Sequence, residues 1–309
     1  MGERYERTKT VASAGKSGIF VPEAAQDPAK KPLITDSGNV NRSVLCRTRR
    51  IALDSFGCDI MTKVIVSTCI VAAILAGNGC TADISSADNK DWTPLFNGID
   101  LEGWIVKCNP ADSNKQFWRV EDGAILADSM GVAKHDYVWL LTNRQYGDFI
   151  LRLRFQAFRD SPGNSGIQLR SRYDDQANWL DGPQMDIHPP GPWRTGMIWD
   201  ETRDVNRWLY PDVPKGKWVD PSMANSNLVF YFSDTEPGWN ELEITAFGTR
   251  LTARLNGVEI MDYDGTGVLD DEIHKARRVG MVGHIALQIH RNDELKIRFK
   301  DIYVKDLSK

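Results

Sequence analysis

The chain has little cysteine where its fold must lie. Four of its five cysteines occur at or before residue 80, and Cys108 alone follows. No internal disulfide is therefore available beyond residue 80, so a hydrophobic core must hold that part of the chain together. Its length is sufficient for a single all-β domain.

An excess of positive charge is also missing. The chain has 38 Lys and Arg against 42 Asp and Glu, a formal net charge of −4, which provides no basic field for nucleic acid. It also lacks a Walker loop, a Gly-x-Ser-x-Gly elbow, a His-Glu-x-x-His pair and a Cys-x-x-Cys pair. The Glu-x-Asp-x-x-Glu strand of many sandwich glycosidases is absent too, so a retaining carboxylate pair cannot be assigned.

Long hydrophobic runs are scarce as well. The apolar run 64–76 follows Lys63 and has the length of a signal-peptide core, which is too short to span a bilayer comfortably. We interpret residues 61–80 as an export signal with Met61 as the true start. The alternative is a buried apolar helix of a larger domain.

Three further expectations follow for the N-terminal part. Residues 1–60 are predicted to be a disordered or non-native extension, and residues 81–91 a linker. Cys80, which follows Gly79, is a candidate lipidation site, with ordinary signal-peptidase cleavage as the alternative. The expected location is the periplasm of a bacterium, either free or as a lipid-anchored protein, with no other membrane contact.

Period-two alternation dominates the chain beyond residue 91, where all ten tryptophans lie. In the segment 148–158, apolar and polar residues alternate, which is typical of a strand with one face on a core. Turn formers occupy 160–166 and a second strand begins at Gly166, so the pair indicates an antiparallel sheet with a polar face. Further strands are predicted at 117–120, 124–126, 184–188, 227–232, 240–247, 250–255, 258–263, 283–290 and 295–304.

Turn signals complete the predicted architecture. Asn256-Gly257 predicts a type I′ hairpin, and a short helix is expected near 270–275. Residues 189–227 are rich in Pro, Gly, Trp and Asp with weak periodicity, which predicts a long loop that is either functional or a plain insertion. Many short strands with frequent turns predict an all-β antiparallel sandwich or jelly roll.

Polar side chains on two predicted strands indicate a binding site. Gln184, Asp186 and His188 share one face of their strand, and Gln288 and His290 repeat the pattern. A solvated strand face is the alternative. The neighbouring Trp193 and Trp199 favour a site, since aromatic faces stack on sugars, although core packing is the usual fate of a tryptophan.

Several blocks resemble the 3-keto-disaccharide hydrolase family. Residues 94–104 are similar to its LFNGKDLSGW opening, and residues 163–170 to its GNSGIFLR block. Further blocks occur in the family's order at 118–123, 146–149, 182–187, 195–196, 238–240, 255–258 and 283–290. The resemblance covers roughly residues 92–307.

This resemblance implies a concanavalin-like or LamG-like β-sandwich in an exported protein that cleaves 3-keto-glycosides. A ketone at sugar carbon 3 acidifies the carbon 2 proton, so a base can remove it, the aglycone leaves carbon 1, and water adds back. Carried over to this sequence, Asp186 or His188 is the base, and Arg170 and His290 lie near the enolate or the leaving group.

The other roles are carried over in the same way. Gln184, Gln288, Asn164, Trp193 and Trp199 would bind the sugar. A divalent metal held by Asp186, His188 and His290 is a further expectation. The competing hypothesis is a non-catalytic carbohydrate-binding or lectin-like module.

Overall fold

The computed structural model describes residues 91–308, which form two antiparallel β-sheets packed face to face. The predicted extension, the export signal, Cys80 and all but the last residue of the predicted linker lie outside these described residues. Within residues 91–308, no helix has the length and apolar character needed to cross a bilayer.

Sixteen strands and one short helix make up the described residues. In chain order they are β1 (Thr93–Pro94), β2 (Trp104–Cys108), β3 (Trp118–Glu121), β4 (Ala124–Asp128), β5 (Val138–Tyr146), β6 (Phe149–Ala157), β7 (Ser165–Asp174), β8 (Trp179–Asp181), β9 (Pro183–Ile187), β10 (Ile198–Asp200), β11 (Arg207–Tyr210), β12 (Asn240–Phe247), β13 (Arg250–Leu255), β14 (Val258–Asp264), α1 (Glu272–Arg277), β15 (Gly283–Ile289) and β16 (Lys296–Asp306).

The strands divide into two sheets of eight. Sheet A has the order β14-β13-β12-β6-β16-β4-β3, with β1 paired to β16, and sheet B has the order β11-β10-β9-β7-β15-β5-β2, with β8 paired to β7. Every strand pair is antiparallel. The predicted all-β sandwich is therefore confirmed.

The core lies between the two sheets because both present apolar residues at every second position. Leu153 and Phe155 of β6 join Met185 and Ile187 of β9 in one buried cluster. On the other face of β6, Arg152 is exposed and pairs with a glutamate of β12. The alternation predicted for β6 is thus confirmed.

The strands β6 and β7 do not pair with each other. β6 lies in sheet A between β12 and β16, whereas β7 lies in sheet B between β9 and β15. The turn formers at 160–166 therefore carry the chain from one sheet to the other, as antiparallel sandwiches require at some of their connections.

One predicted strand is wrong, and one predicted loop contains two strands. Residues 227–232 form only an isolated bridge between Phe232 and Ala157, because the Asn240 side chain takes both backbone groups of Tyr231, at 2.8 and 2.7 Å. The predicted loop 189–227 contains β10 and β11, which extend sheet B beyond β9.

The short helix and the hairpin follow their sequence signals. α1 begins after Asp271, whose carboxylate accepts a hydrogen bond from the His274 N–H. Asn256 and Gly257, with φ values of +50° and +80°, join β13 to β14, in the left-handed region that a type I′ turn requires.

Arg170 is a structural residue rather than a member of a site. Its side chain is fully buried and donates to the carbonyl oxygens of Gly147, Gly248 and Gly280 and to the Asp148 carboxylate. Burial lowers the pKa of this guanidinium to about 10, against the opposing effect of Asp148. Arg170 thus joins three turns, and we exclude it from the candidate site.

We expect Arg170→Met to lower the free energy of unfolding by about 3–5 kcal/mol, because the carboxylate and three carbonyl oxygens lose their donor. Arg154→Met, which removes an exposed pair with Glu241, should cost less than about 1 kcal/mol. Urea denaturation of both variants measures the difference. Equal losses would contradict the structural role.

Candidate functional site

The candidate site lies on the face of sheet B that points away from the core. All five residues of β9 are buried, with Met185 and Ile187 on the core side and Gln184 and Asp186 on the other. Across the sheet, Asp186 pairs with Gly166 of β7, and Gly166 with Gln288 of β15. The predicted polar face therefore exists, but it is covered instead of solvated.

A chain of hydrogen bonds crosses this face. Ser171 donates to Gln168 at 3.0 Å, Gln168 to Gln184 at 2.9 Å, and Gln184 to Asp186 at 2.9 Å. Gly166 makes room for it, because a Cβ there would lie 2.6 Å from the Gln184 side chain. This series of hydrogen bonds fixes the orientation of the Asp186 carboxylate.

The second oxygen of Asp186 binds Arg194. The guanidinium donates to it at 2.6 Å, and both side chains are buried. The same guanidinium lies 5.6 and 5.7 Å from the ring centres of Trp208 and Trp218, so it also contributes cation–π contacts. With both oxygens engaged, Asp186 is better suited to positioning and to electrostatics than to removing a proton.

Glu201 is the functional candidate that the sequence patterns did not reveal. Only 4% of it is exposed, and its backbone is held by the Trp179 indole, which donates to its carbonyl oxygen at 2.8 Å. Burial, reinforced by the negative charge of Asp186, raises the pKa of the Glu201 carboxyl to about 8, while Gln288 and Trp199 act in the opposite direction. Glu201 therefore keeps its proton at neutral pH.

A period-two signal for Glu201 does exist in the sequence. Trp199 and Glu201 are two residues apart, and Trp199 lies opposite Gln184 in the register of β10 with β9. The signal is weak because β10 has only three residues. It also lies in a stretch rich in Pro and Gly, for which the sequence predicts a loop.

Tyr137, His290 and Asp293 form a second group at the same face. The Tyr137 hydroxyl lies 3.1 Å from His290 Nε2, and Asp293 lies 3.2 Å from His290 Nδ1. The Arg291 carbonyl oxygen is also 3.0 Å from Nδ1, so Nδ1 carries a proton and Nε2 accepts. Burial, followed by the charge of Glu201, raises the pKa of Tyr137. The Tyr137 ring packs edge-on against Trp179, with 5.2 Å between the ring centres, and Trp179 holds the backbone of Glu201, so Glu201 lies close to this group.

The remaining predicted residues surround these two groups. His188 is buried, with its Nδ1 3.2 Å from the Gly191 carbonyl oxygen. Asn164 holds the loop of His290: its N–H donates to Asp293 at 3.0 Å and its carbonyl oxygen accepts from the His290 N–H at 3.3 Å. Trp193 and Trp199 are partly exposed and pack on the cluster of Trp208 and Trp218.

The predicted metal site does not form. Among residues 91–308, no group of three His, Cys, Asp or Glu side chains is placed to hold a metal ion. Asp186, His188 and His290 in particular do not converge. The carboxylate of Asp186 is occupied by Gln184 and Arg194 instead, and His290 belongs to the group around Tyr137.

Comparison with known proteins identifies the family. Residues 91–305 match the model of the 3-keto-alpha-glucoside-1,2-lyase-like domain. The chain belongs to this family. Membership makes it a carbohydrate-related, glycosyl-hydrolase-like protein, and it confirms the resemblance seen in the sequence blocks.

The solved structures to which the chain is similar are distant in sequence. A candidate glycosyl hydrolase from Parabacteroides distasonis is 19% identical, with a TM-score of 0.47, covering 73% of this chain and 99% of its own. A carbohydrate-binding module from Bacillus subtilis is 12% identical, with a TM-score of 0.42 and coverage of 66% and 96%. The search of curated proteins found no match.

We expect the stability of the protein to fall between pH 4.5 and 8 in a way that Glu201→Gln removes. The folded protein retains the Glu201 proton up to about pH 8, whereas the unfolded chain loses it near the ordinary value of 4.5. The stabilising contribution is therefore complete at low pH and is lost as the pH rises through 8. It amounts to a few kcal/mol, since one pKa unit corresponds to about 1.4 kcal/mol.

Urea midpoints at pH 5, 7 and 9 measure this effect in the wild-type protein and the variant. Glu241→Gln on the exposed face of β12 is the control, because it leaves the pH dependence in place. Parallel pH curves for the wild type and Glu201→Gln would show that Glu201 titrates normally.

Proposed function

We propose that the protein cleaves 3-keto-glycosides by elimination and that Glu201, held neutral beside the Tyr137–His290–Asp293 group, is its general acid. The observation that carries this proposal is the buried Glu201 carboxyl, whose pKa is raised to about 8 and which is linked through Trp179 and Tyr137 to a histidine that contacts a carboxylate. Pairs of titratable groups with opposed protonation states are the usual equipment for proton transfer in both directions.

His290 is the proposed base. Its Nδ1–H faces Asp293 and a backbone carbonyl, so the lone pair is on Nε2, which removes the proton from sugar carbon 2. Asp293 stabilises the imidazolium that results. His188 is the second candidate, because its Nδ1–H faces the Gly191 carbonyl oxygen in a similar way.

The electrons of the broken C–H bond form an enolate toward the ketone at carbon 3. Tyr137 keeps its proton, because its pKa is raised, and its hydroxyl can donate to the enolate oxygen. Asp186 and Arg194 remain a hydrogen-bonded ion pair at the floor of the site. This arrangement replaces the base role that the family resemblance assigned to Asp186.

The enolate then expels the aglycone. Its electrons form the double bond between carbons 1 and 2, the bond from carbon 1 to the aglycone oxygen breaks, and this oxygen takes the proton of Glu201. Addition of water across the double bond completes net hydrolysis. The partly exposed Trp193 and Trp199 provide stacking surfaces for the sugar, and the buried side-chain oxygen of Asn164, which has no protein partner among the described residues, can accept a sugar hydroxyl.

Export belongs to the same proposal. The signal-like pattern of residues 61–80 fits a protein that meets glycosides outside the cytoplasm. Cys80 is then the proposed lipid attachment site.

We expect the wild-type protein to release a chromogenic aglycone from a 3-keto-glucoside but not from the unoxidised glucoside. Glu201→Gln and His290→Gln should each lower kcat by about 10²–10⁴-fold, the usual contribution of acid–base groups, whereas Glu241→Gln should retain activity. An EDTA arm tests for a divalent metal independently.

Release of the aglycone from both glucosides would contradict elimination, because the unoxidised sugar has no acidic proton at carbon 2. No release from either, together with binding to a glycan array, would favour the carbohydrate-binding module.

A further inference from the structure

A polar cleft of about 480 Å³ opens beside the candidate site and plays no part in the proton transfers described above. It is bounded by the loop before β5, the loop after β15 and the turn around residue 112. The charged and amide side chains that matter here are Asp112, Lys115, Lys134, Asp136, Arg291 and Asn292.

The cleft shares a wall with the reaction site. The Arg291 guanidinium lies 5.8 Å from the centre of the Tyr137 ring, and the hydroxyl of that tyrosine contacts His290. The Asn292 N–H donates to the His135 carbonyl oxygen at 3.0 Å, which joins the two loops on either side. A molecule that reacts at His290 can therefore extend into the cleft.

The carboxylates of the cleft are largely engaged within the protein. Asp112 accepts the Lys115 ammonium at 2.6 Å on one oxygen and the Asp136 N–H at 2.8 Å on the other. One oxygen of Asp136 accepts the Tyr137 N–H at 2.8 Å. The charge of Asp112 is thus compensated by Lys115, and the cleft contains three cations against two carboxylates.

Two of the three cations are not compensated in this way. Among residues 91–308, neither Lys134 nor Arg291 forms an ion pair with a carboxylate. Lys134 is exposed, and Arg291 is half-buried with its guanidinium carbon 5.8 Å from the centre of the Tyr137 ring. The cleft therefore presents an ammonium and a guanidinium, the fork-shaped donor that matches a carboxylate.

We propose that this cleft is the aglycone subsite and that it selects aglycones bearing an acidic group. The inference rests on the proposed function for the position of the reacting bond, which lies at the Tyr137–His290 end. Arg291 binds the acidic group and Lys134 adds a second positive charge. The Trp193 and Trp199 side of the site then receives the sugar.

A matched pair of substrates tests the selection. We expect kcat/KM for the 4-carboxyphenyl 3-keto-glucoside to exceed that for the 4-carbamoylphenyl compound, its uncharged isostere, by at least about tenfold. In the double variant Lys134→Gln/Arg291→Gln the ratio should fall to near one, whereas Lys217→Gln, an exposed lysine of the loop after β11, should keep it. Raising the salt concentration should lower the ratio of the two kcat/KM values in the wild-type protein.

The outcomes separate the two proposals. Equal kcat/KM values for the two compounds in the wild type would overturn the aglycone inference and leave the elimination activity standing. If neither compound reacted, the proposed function would fail and calorimetry with the two unoxidised glucosides would decide the inference. Tighter binding of the carboxylate that the double variant loses would support the cleft, and equal affinities would overturn it.

Discussion

The buried ion pair between Asp186 and Arg194 is the interaction on which the site depends. It attaches the loop that follows β9 to the sheet beneath it, and Trp208 of β11 and Trp218 of the loop after β11 lie against the guanidinium. Two charges taken from water cost several kcal/mol each unless they are well paired. The hydrogen bonds from Gln184 and the rings around Arg194 stabilise the pair. The outer face of sheet B is therefore buried at this position.

Burial of this pair determines the chemistry of its neighbour. Glu201 lies in the same covered space, where water cannot stabilise its charge and where the Asp186 carboxylate disfavours a second negative charge. The pKa of Glu201 is therefore raised, and the proton stays on its carboxyl at neutral pH. The Asp186 carboxylate has Arg194 as its partner, whereas Glu201 has no cation among residues 91–308 and remains protonated.

The two sheets have the same alternation of apolar and polar side chains, but their outer faces differ. In sheet A, the outward side chains of β6 and β12 are exposed arginines and glutamates that form surface pairs such as Arg152 with Glu243, each worth little. In sheet B, the outward side chains of β9 are polar but buried, and Arg194 of the loop that follows β9 binds Asp186 there. Both sheets have the same alternation. Whether a polar face is solvated or becomes a candidate site depends on whether a loop covers it.

The sequence by itself determined the all-β sandwich, most strand positions, the Asn256-Gly257 hairpin and the short helix after Asp271, because these follow from local periodicity and turn chemistry. It also identified the family and pointed to the β9 face, where Asp186 lies, and to His290. Only the tertiary structure decided what those side chains do. Its sequence context suggested that Arg170 binds an anion, yet the groups around its guanidinium are carbonyl oxygens from three separate turns.

Glu201 shows the same limit from the opposite direction. Trp199 and Glu201 show period two, but no sequence pattern indicates the pKa of Glu201, since this pKa depends on burial and on Asp186, fifteen positions away along the chain but close in the folded protein. Desolvation and charge–charge interactions act through space, whereas sequence patterns report the neighbours along the chain. Sequence patterns are therefore sufficient to predict the fold. The proposed assignment of acid, base and structural residues depends on the interactions through space.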